Sequence, residues 1–351
     1  MEGNKSILVI GAGPAGLQAS KDIAEFGFRV VLVEKNSELG GAPIRWRYHT
    51  LAPDFVPTEK VLGPLIDFVK NNSLITVYTN SIVEGYERKD DFFKIRILNL
   101  RNKSISYENV SSVIVATGFE HYNASVDPRY GYGINPNVIG INELEIMISN
   151  GKVVRHDGKI PKRIGFILCV GSRDKATNPW CCTVCCGVSI KQAIEIKKII
   201  PDSQIYIIYM DIRTIGLWEK LYWQSMENYH INYIRGRVGE IYWTGEKLLV
   251  KGEDTLVRGP FEALFDMIVL AVGMEPGEGT KQVAKVFGLR VNEYGFLSPR
   301  IPNIHYDSGK DGIFLAGACV APMSVEEAIG EGSAAALQAI KYSMKRDRKV
   351  P

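Results

Sequence analysis

The chain has 351 residues, 46% of them hydrophobic and 23% charged, the ordinary values of a globular protein long enough for two domains with buried cores. Its 42 basic and 39 acidic residues leave a formal charge of +3, too small an excess to argue for a nucleic-acid partner. No apolar run approaches the roughly 18 residues that span a bilayer, and a first strand beginning by Ile7 leaves no room for a signal peptide, so a cytoplasmic location is expected.

Ser6–Ile10 reads as a short buried strand of the parallel type. Gly11-Ala12-Gly13-Pro14-Ala15-Gly16 follows at once, then an apolar-periodic helix to about Phe26 and a second strand, 30–33, ending at Glu34 and Lys35. This is the dinucleotide fingerprint in its strand–turn–helix context. Gly11 permits the tight turn, Gly13 lets backbone approach a pyrophosphate, and Gly16 lets helix and strand pack closely. The helix N-terminus faces phosphates with its positive end, and the Glu34 carboxylate is placed for ribose hydroxyls. Alone, such a turn is weak evidence, because glycine-rich turns occur in other α/β folds. Further landmarks strengthen it: Gly40-Gly41 after the second strand, an apolar strand 113–116 closing on Ala116-Thr117-Gly118, and a late strand 312–317 ending at a glycine; Val83 is also expected among the cofactor-binding residues. Together they favour FAD over NAD at this site.

Residues 121–275 carry a second α/β pattern: a strand Arg163–Val170, a helix 187–199 and a strand 204–210. Where a second nucleotide turn would stand, the chain reads Cys169-Val170-Gly171-Ser172-Arg173-Asp174, without the later glycines that admit a pyrophosphate. The loop runs on through Asn178-Pro179-Trp180 into Cys181, Cys182, Cys185 and Cys186. A disulfide framework would spread its cysteines; crowding in a reducing compartment points to metal ligation or redox chemistry. An inert packed patch is the plainest reading and the least favoured. A Cys182–Cys185 dithiol could reduce disulfides. Four thiolates could hold an iron–sulfur cluster or zinc. Five cysteines exceed what a dithiol needs, and Arg173 with a helix N-terminus suits an anionic cluster, which is therefore favoured.

The segment 271–276 reads as a crossing back to the first domain. A late strand, 312–317, ends at Gly317-Ala318, and a helix over 324–342 opens at Ser324-Val325. In flavin reductases that helix directs its N-terminus at the flavin pyrimidine. The basic run 341–349 suits a helix C-terminus. The expected architecture is α/β, with two Rossmann-like dinucleotide-binding-type domains: a discontinuous FAD domain, 1–120 with 276–351, and a second domain, 121–275.

Several segments resemble the A-type subunit of heterodisulfide reductase, in its short sulfur-oxidiser form. They are Tyr130-Gly131-Tyr132-Gly133 with 135–139, Cys169–Asp174, Trp180–Cys186, the run 209–214 and Ile234-Arg235-Gly236-Arg237-Val238. The resemblance implies a thioredoxin-reductase-like core in a homodimer with FAD and one [4Fe–4S] cluster. Its implied ligands are Cys169, Cys181, Cys185 and Cys186, with Cys182 to spare. It also implies B-like and C-like partner subunits, a lipoate-binding protein and a place in sulfur oxidation. Methanogen-type relatives carry inserted ferredoxin modules that are missing here, and tend to have a lysine where this chain has Gly216-Leu217. Their late cysteine is shifted by one position to Cys319, which reads as a packed small residue. The alternatives are an NAD(P)H-dependent disulfide reductase using the dithiol and a zinc-stabilised flavoprotein scaffold. Arg45 and Arg47 read either as FAD-phosphate contacts or as solvent-facing residues, and His49 as a surface or loop residue ahead of one lying over the flavin; Trp218, Tyr222 and Trp223 read as core or interface.

Overall fold

The computed structural model describes residues 6–89 and 92–347. The chain forms two compact units. One comprises Met1–Arg45, Thr58–Glu120 and Glu275–Pro351; the other comprises Trp46–Pro57 and His121–Met274. The short segment 46–57 sits with the second unit because Lys191 Nζ donates to the Thr50 carbonyl at 3.0 Å and the Thr50 hydroxyl donates to Glu195 at 2.7 Å. Residues 348–349 of the basic run lie outside the described residues.

The first unit is built on a five-stranded parallel sheet in the order Ile313–Leu315, Ser112–Val115, Ser6–Ile10, Arg29–Val33, Ile75–Tyr78. Successive side chains on a strand point to opposite faces. Ile7 and Val9 accordingly join one core with Leu17, Ile23 and the late-helix residues Ala335, Ala336 and Ala339. Leu8 and Ile10 join the opposite core with Val83, Phe93, Ile95 and Val110. That second face is covered by an antiparallel sheet of Ser81–Lys89, Phe92–Asn99 and Ile105–Val110. Burial on both faces is why the strands read as unbroken apolar runs. The helices Pro14–Glu25 and Val325–Asp347 pack closely enough that a Cβ at Gly332 would lie 2.3 Å from the Ala15 carbonyl oxygen.

The second unit holds a seven-stranded sheet in the order Val138–Gly140, Met267–Val272, Arg163–Val170, Gln204–Tyr209, Asn232–Trp243, Leu248–Asp254, Gly259–Phe265. The first five strands pair in parallel and the last two in antiparallel fashion, so Asn232–Trp243 joins the two modes. The helix expected over 187–199 begins two residues earlier, as Cys185–Ile199, because the Val184 amide donates to the Cys182 carbonyl at 2.8 Å and tightens the entry. Two thiols thereby fall on its first turn. Among the described residues no helix is long and apolar enough to cross a membrane.

Candidate functional site

In the first unit the turn Gly11–Gly16 leads into the helix Pro14–Glu25. Gly11 has φ +101°, and a Cβ there would lie 2.3 Å from the Ala116 carbonyl oxygen. A Cβ at Gly16 would lie 1.8 Å from the Gly11 carbonyl oxygen. Both glycines are thus demanded by the protein's own packing. Gly13 differs. The nearest atom to a Cβ built there is the Gly41 Cα, at an ordinary 3.9 Å. No side chain caps the helix at Gly13, and Pro14 opens it, so its first amides are left for an anion. From this contrast Gly16→Ala is expected to destabilise the fold by about 1–3 kcal/mol, the usual cost of overpacking. Chemical denaturation of the cofactor-stripped protein checks it; an unchanged midpoint would contradict it.

Glu34, buried at the end of Arg29–Val33, accepts from the Ala12 amide and from the Asn36 amide and side chain, each at 2.8 Å. Gly40 donates to the Ala12 carbonyl at 2.7 Å, and Gly41 brings its backbone against Gly13, where a Cβ would lie 2.8 Å from the Gly13 Cα. Thr117 meets Thr280 at 2.7 Å beside Gly118, which has φ +70°. Gly317 donates to Glu331 at 2.8 Å, with Ala318 buried after it. Ser324 caps the helix Val325–Asp347 reciprocally: its hydroxyl accepts from the Glu327 amide at 3.2 Å, and Glu327 accepts from the Ser324 amide at 2.7 Å. Two further expected residues make contacts of their own. The Val83 side chain is in the core, with its carbonyl accepting from Gln282 at 3.4 Å. Lys35 forms a surface ion pair with Glu120 at 3.1 Å. Sequence reasoning misses Thr280, Glu331 and Gly332, since nothing local marks a threonine, a glutamate or a mid-helix glycine.

In the second unit, the strand Arg163–Val170 changes register against Met267–Val272 between Ile167 and Val170. Cys169, inside that irregularity, adopts φ +61°, a conformation an L-residue seldom takes. The loop beyond is closed by its own hydrogen bonds. Arg173 N donates to Trp180 O at 2.9 Å, Asp174 N to Asn178 O at 3.1 Å, and Asn178 Nδ2 to Gly171 O at 2.8 Å. Trp180 Nε1 reaches the Met274 carbonyl at 3.1 Å. The helix then starts at Cys185, with a ring pressed on it: a Cβ at Gly187 would lie 2.0 Å from Trp218.

All these thiols are free and, except half-buried Cys181, buried. Cys185 stands within hydrogen-bond reach of Cys169, Cys182 and Cys186, and these contacts, with burial, push its thiol well above the usual range. Hydrogen bonds from Cys181 and Cys185, with the Val184 and Cys185 amides, hold Cys182 well below it. Contact with Cys185 lowers Cys169 and Cys186. Contact with Cys182, with burial, raises Cys181. Cys169, Cys182 and Cys186 are thus the thiols shifted toward the thiolate. Arg173 lies 4.0 Å from the Cys169 sulfur but is also paired with Asp211, so its charge is shared. Cys181, the ligand implied by resemblance, reaches the group through Cys182; Cys182, the implied spare, stands inside it. Among the described residues no three His, Cys, Asp or Glu side chains are disposed to hold one metal ion.

The remaining sequence candidates separate cleanly. Cys319 is buried, donates to Ala316 O at 3.2 Å, and is pushed up to about 12 by burial. Arg45, Arg47 and His49 are exposed. Tyr222 packs edge-on to Tyr233, with ring centroids 5.0 Å apart, whereas Trp223 is half exposed.

The family described as pyridine nucleotide-disulphide oxidoreductase matches residues 5–141. The second iron-sulfur A-type subunit of the CoB–CoM heterodisulfide reductase of Methanopyrus kandleri is 33% identical, over 95% of this chain and 63% of its own length. The A-type subunit of the H(2):CoB-CoM heterodisulfide,ferredoxin reductase of Methanothermobacter thermautotrophicus is 31% identical, over 98% of this chain and 64% of its own length. The chain thus spans under two thirds of the length of these relatives. The first alignment runs to 421 positions, longer than the chain itself, so that relative carries residues with no counterpart here. Among solved structures, the thioredoxin reductase of T. acidophilum superposes with a TM-score of 0.68 at 18% identity, covering 97% of this chain and 99% of its own. The thioredoxin reductase of Lactococcus lactis gives 0.67 at 18% identity, with the same coverage. These structures establish the fold. Over nearly its whole length the chain is similar to A-type subunits of heterodisulfide reductase, and it is built on the fold of thioredoxin reductase.

Proposed function

We propose that the protein is a FAD- and [4Fe–4S]-carrying electron-transfer subunit of a cytoplasmic heterodisulfide-reductase-like complex acting in sulfur oxidation. The observation that carries this reading is the gathering of five thiols around a helix N-terminus, at the position where a nucleotide-binding domain has its glycine turn.

The residues of the first unit fit FAD. Gly13 is the test: its missing side chain is not required by any protein contact, which is what a pyrophosphate resting on that backbone would leave. Gly11, Pro14, Ala15 and Gly16 would form the turn and the head of the helix. Glu34, already anchored by three hydrogen bonds, keeps lone pairs for ribose hydroxyls, with Lys35 beside it. Gly40, Gly41, Val83 through its backbone, and Ala116, Thr117 and Gly118 would frame the nucleotide. Gly317, Ala318, Ser324 and Val325 would present a helix N-terminus to the isoalloxazine. Bound FAD would supply two-electron chemistry with release of electrons one at a time.

The thiols fit an iron–sulfur cluster in number and kind: four soft sulfur ligands at a helix N-terminus, beside the Arg173 cation, suit an anionic cluster in a flavin-binding fold. Cys169, Cys181, Cys185 and Cys186 are the proposed ligands, and bound there the cluster would pass single electrons. A specific observation favours a second reading of the fourth ligand: Cys182 is buried and in contact with Cys185, whereas Cys181 is half-buried and one contact further out. A homodimer, B-like and C-like subunits and a lipoate-binding protein complete the proposal.

The rival reading, a stand-alone NAD(P)H:disulfide reductase, meets a physical obstacle. The Arg173 and Asp174 amides, which a pyrophosphate would require, are spent on Trp180 and Asn178 inside the loop. The isolated protein is therefore expected to bind NADH weakly and to be reduced by it slowly. Stopped-flow flavin absorbance with NADH alone tests this; tight, saturable binding with fast bleaching would establish the rival.

A further inference from the structure

Within the first unit, the turn at Gly317 is held by a carboxylate. The Gly317 amide donates to Glu331 Oε2 at 2.8 Å. Gly317 has φ +75°, and a Cβ there would lie 2.9 Å from the Ala15 Cβ, so the turn rests on the head of the helix Pro14–Glu25. Gly332, the residue after Glu331, packs against the same Ala15. A bare carboxylate so near this helix head would repel an anionic cofactor bound there. His305 answers the charge. Asp307 bridges Phe314 in antiparallel fashion, and the Leu315 amide donates to the Tyr306 carbonyl at 3.1 Å. The segment before Asp307 therefore runs beside the end of the strand Ile313–Leu315 and brings His305 to the turn. His305 Nδ1 meets Glu331 Oε1, the oxygen that Gly317 does not use. This hydrogen bond holds the imidazole above its usual range, against the opposing effect of burial. Charged groups on the elements around the pair have partners of their own. Arg300 pairs with Asp307 at 2.8 Å, Asp22 accepts from the Ser333 hydroxyl at 2.6 Å, and Glu327 accepts from the Ser324 amide. The nearby Cys319 thiol is pushed up to about 12 by burial and stays neutral.

We infer that His305 is a positioning residue of the flavin site: its imidazolium neutralises Glu331, the carboxylate that holds the Gly317 turn against the phosphate-facing helix, so that FAD is bound more tightly with His305 protonated than neutral. This rests on the FAD reading above and adds a pH dependence to it. The sign follows from the charges. Below the imidazole's value in the folded protein the pair is neutral overall and the anionic cofactor meets no repulsion. As pH rises through that value the proton leaves, the Glu331 charge is uncovered, and FAD is held less well. By the same coupling, bound FAD should make His305 hold its proton to higher pH.

The test titrates FAD into the full chain, stripped of flavin, and follows flavin fluorescence from about pH 6 to about pH 9, a range that brackets histidine. We expect the affinity to fall about fivefold across it, the upper end for a partly exposed ion pair. His305→Gln leaves a neutral donor beside Glu331 and should bind FAD at the weak, high-pH level throughout. Glu331→Gln keeps an acceptor for the Gly317 amide without the charge, and should bind at the tight, low-pH level throughout. The opposite levels of these two pH-independent variants are what a merely structural contact would not produce. The His305 ring resonance, followed by NMR, should titrate at higher pH with FAD bound than without. A wild-type affinity that does not change with pH overturns this inference and leaves the FAD reading standing. So does a slope that survives in Glu331→Gln, or a Glu331→Gln variant as weak as His305→Gln. A chain that takes up no FAD at any pH overturns the FAD reading and this inference with it.

Discussion

Serine at Cys169, Cys185 or Cys186 is expected to abolish the iron–sulfur absorbance while leaving FAD bound. A cluster is held by its thiolates together, and a hydroxyl is a poor replacement for a soft sulfur ligand, so losing one ligand degrades the whole group. The effect should be near-complete loss of iron at each of these positions. Flavin content is the internal control, because every proposed FAD residue belongs to the other compact unit. The dithiol reading expects a different pattern: Cys182 and Cys185 indispensable, Cys169→Ser mild, and no iron in any variant. Cys181→Ser and Cys182→Ser, measured side by side, identify the fourth ligand as the one whose loss costs the iron. Cys169 carries an added constraint. Its φ of +61° is a strained setting for an L-residue, so the backbone there is held by its surroundings rather than by its own preference. Cys169→Ser should therefore keep the fold and lose only the ligand.

Gly13→Val should abolish FAD binding without unfolding the protein. The two outcomes separate because of what surrounds the three glycines of the turn. A Cβ at Gly11 or Gly16 would enter backbone within 2.3 Å, so substitution there damages the apoprotein first. At Gly13 a Cβ meets only the Gly41 Cα, at 3.9 Å. A branched side chain at Gly13 would instead fill the space in front of the uncapped helix amides. The purified variant should be colourless, fold cooperatively, and fail to take up added FAD. A yellow, stoichiometrically loaded variant would remove the pyrophosphate from this turn.

Much of this is legible in the sequence where function imposes a local pattern. The turn from Gly11 to Gly16, the acidic end of the second strand and the Ala116-Thr117-Gly118 turn are each short and contiguous, and each forms the element expected of it. The crowding of Cys181 to Cys186 is plain, as is the missing second glycine turn. Long-range contacts are not. That segment 46–57 clusters with the second unit depends on Lys191 and Glu195, some 140 residues away in sequence. That the Val83 side chain packs in the core, because its strand covers the second face of the parallel sheet, leaves no mark in the sequence either. The choice between Cys181 and Cys182 turns on how the loop folds back onto Cys185. Adjacent residues look equivalent in sequence, whereas in the fold one is buried against Cys185 and the other half-exposed. The buried cluster of Glu145, Lys191 and Gln192 leaves no signal, because three polar residues on two helices look like solvated faces until packing buries them.

The central claim, that the thiols hold a redox-active iron–sulfur cluster in a chain that also binds flavin, is tested most directly by a visible and EPR redox titration of anaerobically purified protein. Analysis should find about four irons and about one FAD per chain. The oxidised protein should show overlapping flavin and iron–sulfur absorbance, and reduction should bring up a fast-relaxing EPR signal that disappears in Cys169→Ser. A protein that carries flavin alone after cluster reconstitution, with no iron and no such signal on reduction, would contradict the account.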